Sequence, residues 1–435
     1  MKRAIVVGSG LAGIISARIL VNNGYKVTII ENSKFIGGLI SSMKIKNNFF
    51  DHGAHMLQET NDKKINKYLF KDLEKNCFKY KYLPQEHFFN KKWYLKSAFI
   101  NLMHLDKKEY SQIFKQIILQ NKLNDQGLFK NEEQRCFKLY GKKLTSKIIA
   151  PLLKKYTNKK LSQLPVFTKE RFNLSRFIIA NKKETDRLKK NLFLDKILAY
   201  NSYKQGITGK RNFYPKKQGI NYLVNLFLDK KCLKKIDILT NQNIKSIKVQ
   251  NSKFFDITTN KKKIIGDYLI WTGNIDPLEN LINSKELKPN NKKKIYWSFY
   301  HFISKKRLRK KVFYSYFYDE KIPIHRITHY DNFQIKNKSN HSYRFTVENI
   351  SGLENNYSIE EKIKESLIDL KIIKNMNDIK LLKRYTMPIP LKKTKYKISK
   401  NIKLIKNLIL LGQGADKFTK SEIIEDTYNK LFFNK

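Results

Sequence analysis

Cysteine is scarce in this chain of 435 residues: Cys77, Cys136 and Cys232 lie far apart, in no CxxC or metal-ligand spacing. That excludes a disulfide framework and a cysteine-based zinc module, and no other metal-ligand cluster is seen; a reducing, cytoplasmic setting is expected. Proline is also rare, at nine residues, and no Pro-, Gly- or Ser-rich linker or internal repeat divides the sequence. No run of about 18 apolar residues occurs, so no membrane-spanning helix is expected. Acidic residues are the remaining shortage. Asp and Glu number 37 against 89 Lys and Arg, a formal charge of +52. Such an excess ordinarily points to nucleic acid or an anionic membrane. Here it is mostly Lys, travels with Asn and Ile throughout, and reads as compositional bias. Specific nucleic-acid binding is therefore not expected, although a basic surface would suit peripheral contact with an anionic membrane.

What is present is enough apolar material for a core. Hydrophobic residues make up 41% and aromatics 13%, which excludes wholesale disorder. At about 150 residues per domain the length predicts two or three domains. Met1-Lys2-Arg3 before an apolar run imitates a signal peptide, but Gly8, Gly10 and Gly13 break the run and Arg18 charges it.

Those glycines have a better explanation. Ala4 to Val7 reads as a buried β-branched strand, and Gly8-Ser9-Gly10-Leu11-Ala12-Gly13 leads into helical spacing from Ile14 to Asn22. Gly24 ends that helix. Lys26 to Ile30 is a second strand, with Glu31 at its end. A G-x-G-x-x-G after a strand, opening a helix and followed by an acidic strand end, is the dinucleotide-binding pattern. Gly8 permits the tight turn, Gly10 lets the backbone approach a diphosphate, and Gly13 lets helix and strand pack closely. The helix start presents free N–H groups to the phosphates. Glu31 is placed to accept from the ribose hydroxyls and argues against a 2′-phosphate.

Further on come Gly37-Gly38 and Phe49-Phe50-Asp51-His52-Gly53-Ala54-His55. With these motifs the sequence resembles the flavin-dependent amine oxidase superfamily, which includes protoporphyrinogen oxidases, phytoene desaturases and UDP-galactopyranose mutases. The resemblance implies FAD as cofactor, with the ribose on Glu31, Gly37-Gly38 against the cofactor's middle, and Gly53 to His55 near the flavin ring. It also implies an α/β fold: a Rossmann-like FAD-binding domain with a parallel sheet, built from the discontinuous segments 1–75, 211–275 and 386–435. An α+β substrate domain would comprise a helical part, 76–210, and an antiparallel-sheet part, 276–385.

Later segments agree with this. Tyr214-Pro215-Lys216-Lys217-Gln218-Gly219 resembles the entry to the family's second FAD segment, with Gln218 in place of an expected glycine. It precedes a helix expected over Ile220 to Phe227. Strands are expected at Ile236 to Leu239, Ile244 to Val249, Phe254 to Thr259, and as one run from Ile264 to Thr272. Near the end, Gly412-Gln413-Gly414-Ala415-Asp416 resembles the closing motif, with Gln413 where many relatives carry Arg or Asp. A helix is expected from Ser421 to Leu431. Within 76–210, helices are expected at Tyr110 to Asn121 and Glu132 to Lys155. Tyr140 to Leu144 and Tyr156 to Lys160 resemble a region of the mutases and their oxidase relatives, with Leu161 where mutases commonly carry Trp.

The expected activity is oxidation of a small-molecule substrate by hydride transfer to FAD, since flavin enzymes leave the hard step to the cofactor. No Ser-His-Asp array or P-loop suggests a hydrolase or kinase. Catalytic candidates are His55, Arg326, Arg344 and Tyr385, the two arginines because a guanidinium grips an anionic substrate with two parallel bonds. The cofactor-binding candidates are Gly8, Gly10, Leu11, Ala12, Gly13, Glu31, Gly37, Gly38, Gly53, Gly412 and Gly414. The alternatives are a mutase-like sugar-nucleotide isomerase using reduced FAD, and a basic nucleic-acid-binding protein. Oligomeric state is not legible.

Overall fold

A computed structural model describes residues 1–53, 55–119, 129–207, 209–251, 253–283, 294–335, 342–353, 358–391, 398–417 and 419–432. The chain forms two compact units, each assembled from separated segments: 1–81, 210–290 and 394–435, and 82–209 and 291–393. Residues 386–390 continue the long strand Ile379–Pro390 of the second unit.

The first unit is built on a five-stranded parallel sheet in the order Ile236–Leu239, Lys26–Ile30, Arg3–Val7, Tyr268–Trp271, Leu408–Leu410. Its central strand is β-branched and buried, as a strand covered on both faces must be. The helix Leu11–Asn22 is buried almost all round, which is why its sequence shows no polar stripe. It stops where Gly24 takes the left-handed conformation at φ +85°. The closing helix Lys420–Phe432 packs on it, and the Asn23 side chain donates to Leu431 O.

The run from Ile264 to Thr272 is not one strand. Lys263–Gly266 completes a small antiparallel sheet with Ile244–Gln250 and Phe254–Thr259, while Tyr268–Trp271 enters the parallel sheet. The chain changes sheets at Gly266-Asp267. A Cβ on Gly266 would lie 2.7 Å from Ile5 Cγ1, and Asp267 is clamped to Arg3 by N–H to O at 2.8 Å and by Arg3 N–H to Oδ2 at 2.7 Å. Both sheets share one core through Ile5, Phe255, Ile257, Leu269 and Trp271. A hairpin forms from Ser42–Ile45 and Asn48–Asp51, and a second antiparallel trio joins Leu57–Gln58, Asn212–Pro215 and Cys77–Tyr80.

The second unit holds a seven-stranded sheet in the order Ile379–Pro390, Lys294–Ser304, Tyr343–Ser351, Arg326–His329, Tyr314–Phe317, Gln85–Phe89, Lys92–Tyr94. Only the pair Tyr314–Phe317 and Gln85–Phe89 is parallel. Two of its strands therefore come from the stretch expected to be helical. One sheet face is apolar, with Tyr300, Phe302, Phe345, Val347 and Ile327 packed against Ile363 and Leu367 of the helix Ser358–Asp369.

Helix Lys107–Leu119 forms as expected; Asn121 lies outside the described residues. The long helix expected from Glu132 is interrupted. Gly141 sits at φ +80°, Thr145–Ile149 is a π-turn, and Ala150–Thr157 follows. A Cβ on Gly141 would meet Gln116 Oε1 at 2.6 Å, and that oxygen accepts from the Lys143 amide. The neighbouring helix thus occupies the space a regular turn would need.

Candidate functional site

The candidate cofactor site begins where strand Arg3–Val7 ends. Gly8 turns the chain at φ +95°, its amide donates to Ile30 O at 2.9 Å, and a side chain there would overlap Thr272 Oγ1. Thr272, which the sequence did not single out, is itself tied to Val7 O at 2.8 Å. Gly13 is equally constrained, because a Cβ would overlap the Gly8 carbonyl. Gly10 is different. It has φ −68°, and nothing lies within 4 Å of the position its Cβ would take. The protein's own packing demands glycine at 8 and 13 but leaves open space at 10.

The helix Leu11–Asn22 starts beside that space with no side-chain cap and no acidic residue in its first turn. Its first N–H groups and the positive end of its dipole are therefore available to an anion. Leu11 and Ala12 are buried at this start.

Glu31 ends the second strand as expected. Its Oε2 accepts from the Ser9 amide at 2.9 Å and the Ser9 hydroxyl at 2.7 Å, and Oε1 accepts from the Ser33 amide at 2.9 Å. Burial pushes this carboxyl up, but the Ser33 and Ser9 donors outweigh it and hold the group below the usual carboxylate range. An ionised carboxylate offers about four acceptor sites, so three internal donors leave room for a hydroxyl. The Ser9 contact, also unforeseen, fixes Glu31 relative to the glycine loop. The Ser9 carbonyl in turn accepts from the Gly37 amide at 3.0 Å.

The other glycine motifs gather around the same helix start. Gly37 and Gly38 turn at φ +110° and +55°, and a Cβ on Gly38 would lie 3.1 Å from Gly10 Cα. Gly412 opens the short helix Gly412–Ala415 at φ +55°, and its Cβ position lies 3.3 Å from Ala12 Cβ. A Cβ on Gly414 would lie 3.0 Å from Gly273 O and 3.2 Å from Trp271 O. Three segments distant in sequence thus present backbone free of side chains to one corner. Within the first unit these residues fit the nucleotide part of a flavin cofactor, by the space at Gly10 and the donor set around it.

Gly53 is buried at φ +101°, and Ala54 lies outside the described residues. His55 is half-buried, with Nε2 2.9 Å from His52 O. The stronger feature of that motif is Asp51, which is 1% exposed. Its Oδ1 accepts from Ser42 Oγ at 2.7 Å and the Ile220 amide at 3.0 Å, and its Oδ2 accepts from the Tyr214 hydroxyl at 2.6 Å. A Cβ on Gly219 would overlap Ser42 Oγ, so this glycine is also enforced. Gln218, standing where a glycine was expected, keeps the left-handed backbone at φ +63°.

The remaining candidates lie in the second unit. One cross-strand row runs the width of the seven-stranded sheet: Tyr385, Phe299, Glu348, Arg326, Tyr316, His87 and Tyr94. It brings Tyr385 and Arg326 onto one face. Tyr385 stacks on Phe299 at 4.9 Å. The Arg326 fork, expected to grip a substrate anion, grips Glu348 instead: Nε to Oε1 at 2.9 Å and Nη2 to Oε2 at 2.7 Å. Trp297 Nε1 also donates to Glu348 Oε2 at 2.9 Å. Burial works against the Arg326 charge, but Glu348 more than restores it. Arg344 is held elsewhere, by Asp331 at 3.2 Å and Gln334 at 2.8 Å.

Beside the row, His325 Nδ1 lies 3.2 Å from the Tyr156 hydroxyl, and burial with Arg326 and Lys155 nearby keeps this imidazole neutral. Lys155 is half-buried and donates to the carbonyls of Phe317, Asp319 and Ile324 at 3.3, 3.0 and 3.2 Å; burial pushes its ammonium down to about 7. Among the described residues no cluster of His, Cys, Asp and Glu has the geometry to hold a metal, and no helix is long and apolar enough to cross a membrane.

Comparison with known proteins adds the family. A model described as flavin containing amine oxidoreductase matches residues 11–296. A 1-hydroxycarotenoid 3,4-desaturase from Flavobacterium sp. (strain P99-3) is 32% identical over 80 residues, 17% of this chain and only 15% of the desaturase's own length. A reduced UDP-galactopyranose mutase structure superposes with a TM-score of 0.71 at 14% identity, covering 100% of this chain and 96% of the other. A protoporphyrinogen oxidase-like structure from Exiguobacterium sp. 255-15 gives 0.64 at 12% identity, covering 99% and 98%.

Proposed function

The chain belongs to the flavin-containing amine oxidoreductases, and from that membership we propose that its flavin is FAD and that it oxidises a small organic substrate by hydride transfer. The observation that carries the reading is the open space at Gly10 beside the anchored carboxylate of Glu31. In this reading the first amides of the helix Leu11–Asn22 meet the diphosphate, and Glu31 accepts from a ribose hydroxyl. Gly37, Gly38, Gly412 and Gly414 supply backbone that can approach the cofactor closely. Bound FAD supplies an acceptor for hydride from a C–N or C–C bond.

The chain's own residues then bind and orient the substrate. The half-buried Tyr385 offers an aromatic face backed by Phe299. Because Glu348 already occupies the fork of Arg326, the row is suited to an unsaturated or ring-containing group more than to a free anion. A sugar-nucleotide isomerase is the less favoured reading. Tyr156 and Leu161, in the stretch that resembles the mutases, are both buried in the packing of the second unit.

The test is spectroscopic. The purified protein is expected to be yellow, to release FAD rather than FMN on denaturation, and to bleach anaerobically with a subset of amine or unsaturated donors. A protein that stays colourless after incubation with FAD would overturn the cofactor assignment. Furanose product from UDP-galactopyranose and the chemically reduced protein would replace oxidation with isomerisation.

A further inference from the structure

The lysine excess is not even everywhere. Positions 305–311 read Lys-Lys-Arg-Leu-Arg-Lys-Lys, six cations in seven residues, on the connection between strands Lys294–Ser304 and Tyr314–Phe317. The three inner residues fasten this run to the second unit. Leu308 packs on the core of the sheet's apolar face. Arg307 donates to Asp331 O at 2.7 Å and lies over Tyr343. Arg309 lies 4.0 Å above Trp93 and 3.2 Å from Glu86. Lys305, Lys306, Lys310 and Lys311 are exposed, and among the described residues none of them is paired with a carboxylate.

Two exposed aliphatic side chains flank the lysines. The Lys305 amide donates to Asp378 O, at the end of the short helix Met376–Asp378, and Met376 is 42% exposed. At the other end, Asn332 Nδ2 donates to Arg309 O, and nearby Ile335 is 45% exposed. Lys380, opposite Ile303 in the neighbouring strand, is also exposed. The arrangement is a fixed cationic strip with apolar tips. Aliphatic tips give a nucleobase nothing to stack on, since single-strand binders use aromatic faces. They do suit the boundary between headgroups and acyl chains.

We propose that this edge of the second unit docks on an anionic lipid bilayer, with Lys305, Lys306, Lys310 and Lys311 at the headgroups and Met376 and Ile335 reaching the acyl boundary. The proposal does not depend on the cofactor assignment. Each lysine near such a surface contributes about fivefold in partitioning (about 1 kcal/mol), so the four together account for several hundred-fold.

The experiment is co-sedimentation of the full chain with vesicles of phosphatidylcholine, alone or mixed with phosphatidylserine. Because the whole protein is basic, a matched control is essential. Lys305, Lys306, Lys310 and Lys311 changed together to Gln should lose roughly a hundredfold or more on mixed vesicles. Lys245, Lys248, Lys261 and Lys262, exposed lysines of the small sheet in the first unit, changed together to Gln should lose only a few-fold. Met376→Asp with Ile335→Asp should remove the part of the binding that survives high salt. Equal losses in the two lysine sets, no preference for the mixed vesicles, or tighter binding to duplex DNA that depends on the same four lysines would each overturn the proposal.

Discussion

The Tyr214 hydroxyl donates a 2.6 Å hydrogen bond to Asp51 Oδ2, joining residues 163 positions apart. Asp51 also takes the Ile220 amide and the Ser42 hydroxyl, so one carboxylate ties the hairpin of the first segment to the entry of the second. Hydrogen bonds to charged groups contribute about 1.5–3 kcal/mol. Tyr214→Phe should lower unfolding free energy by about 2 kcal/mol in urea melts, and Asp51→Asn by at least as much.

The glycines of the opening loop separate folding from binding. Gly13→Ala forces a methyl into the Gly8 carbonyl and should destabilise the cofactor-free protein by about 2 kcal/mol or more. Gly10→Ala meets nothing and should leave that stability within about 1 kcal/mol. The same variant should retain flavin poorly, read as loss of the visible absorbance on gel filtration.

Glu31 gives a pH dependence of known sign. Its carboxyl titrates lower in the folded protein than in the unfolded chain. The stability it contributes is therefore present above the unfolded value of about 4.3 and is lost as pH falls through the folded value. Glu31→Gln should flatten this acid limb of the stability curve and weaken flavin binding at neutral pH. An unchanged acid limb would contradict the linkage.

Lys155 works in the opposite window. Its ammonium is pushed down to about 7 by burial, against about 10.4 in an unfolded chain. Between those values the unfolded state binds more protons, so stability should rise with pH. Lys155→Met should abolish that rise, measured as the difference in urea midpoint between variant and parent from neutral to alkaline pH.

Breaking the buried pair of Arg326 and Glu348 should be more costly than removing it. Glu348→Gln leaves a guanidinium without its counter-charge and should cost about 3–5 kcal/mol. Replacing both residues with leucine should recover most of that loss. A double variant no better than the single would show that the pair itself, rather than the uncompensated charge, holds the row together.

The sequence was most informative where a single residue's backbone needs are local. The strand, loop and helix from Arg3 to Asn22, and the stop at Gly24, follow from β-branching and from glycines in left-handed or crowded positions. It was less informative where apolar patterning is continuous. Nothing between Ile264 and Thr272 signals a change of sheet, because both halves are buried strand and the cause is the distant pair Arg3 and Asp267. Gly141 was visible, but Gln116, which enforces the break there, was not an apparent partner. The same holds for Glu348 against Arg326 and for Ser9 against Glu31. Pairings across a fold leave no spacing rule, so the arginine fork looked free when it was already engaged.

The central sheet of the first unit takes strands from residues 3–7, 26–30, 236–239, 268–271 and 408–410. During synthesis its first strand therefore emerges some 400 residues before its last. At about 5–20 residues per second, the nascent sheet waits roughly 20–80 s with an unpaired edge. Ribosome-bound intermediates of this protein should accordingly be substrates for chaperones that shield open β-edges.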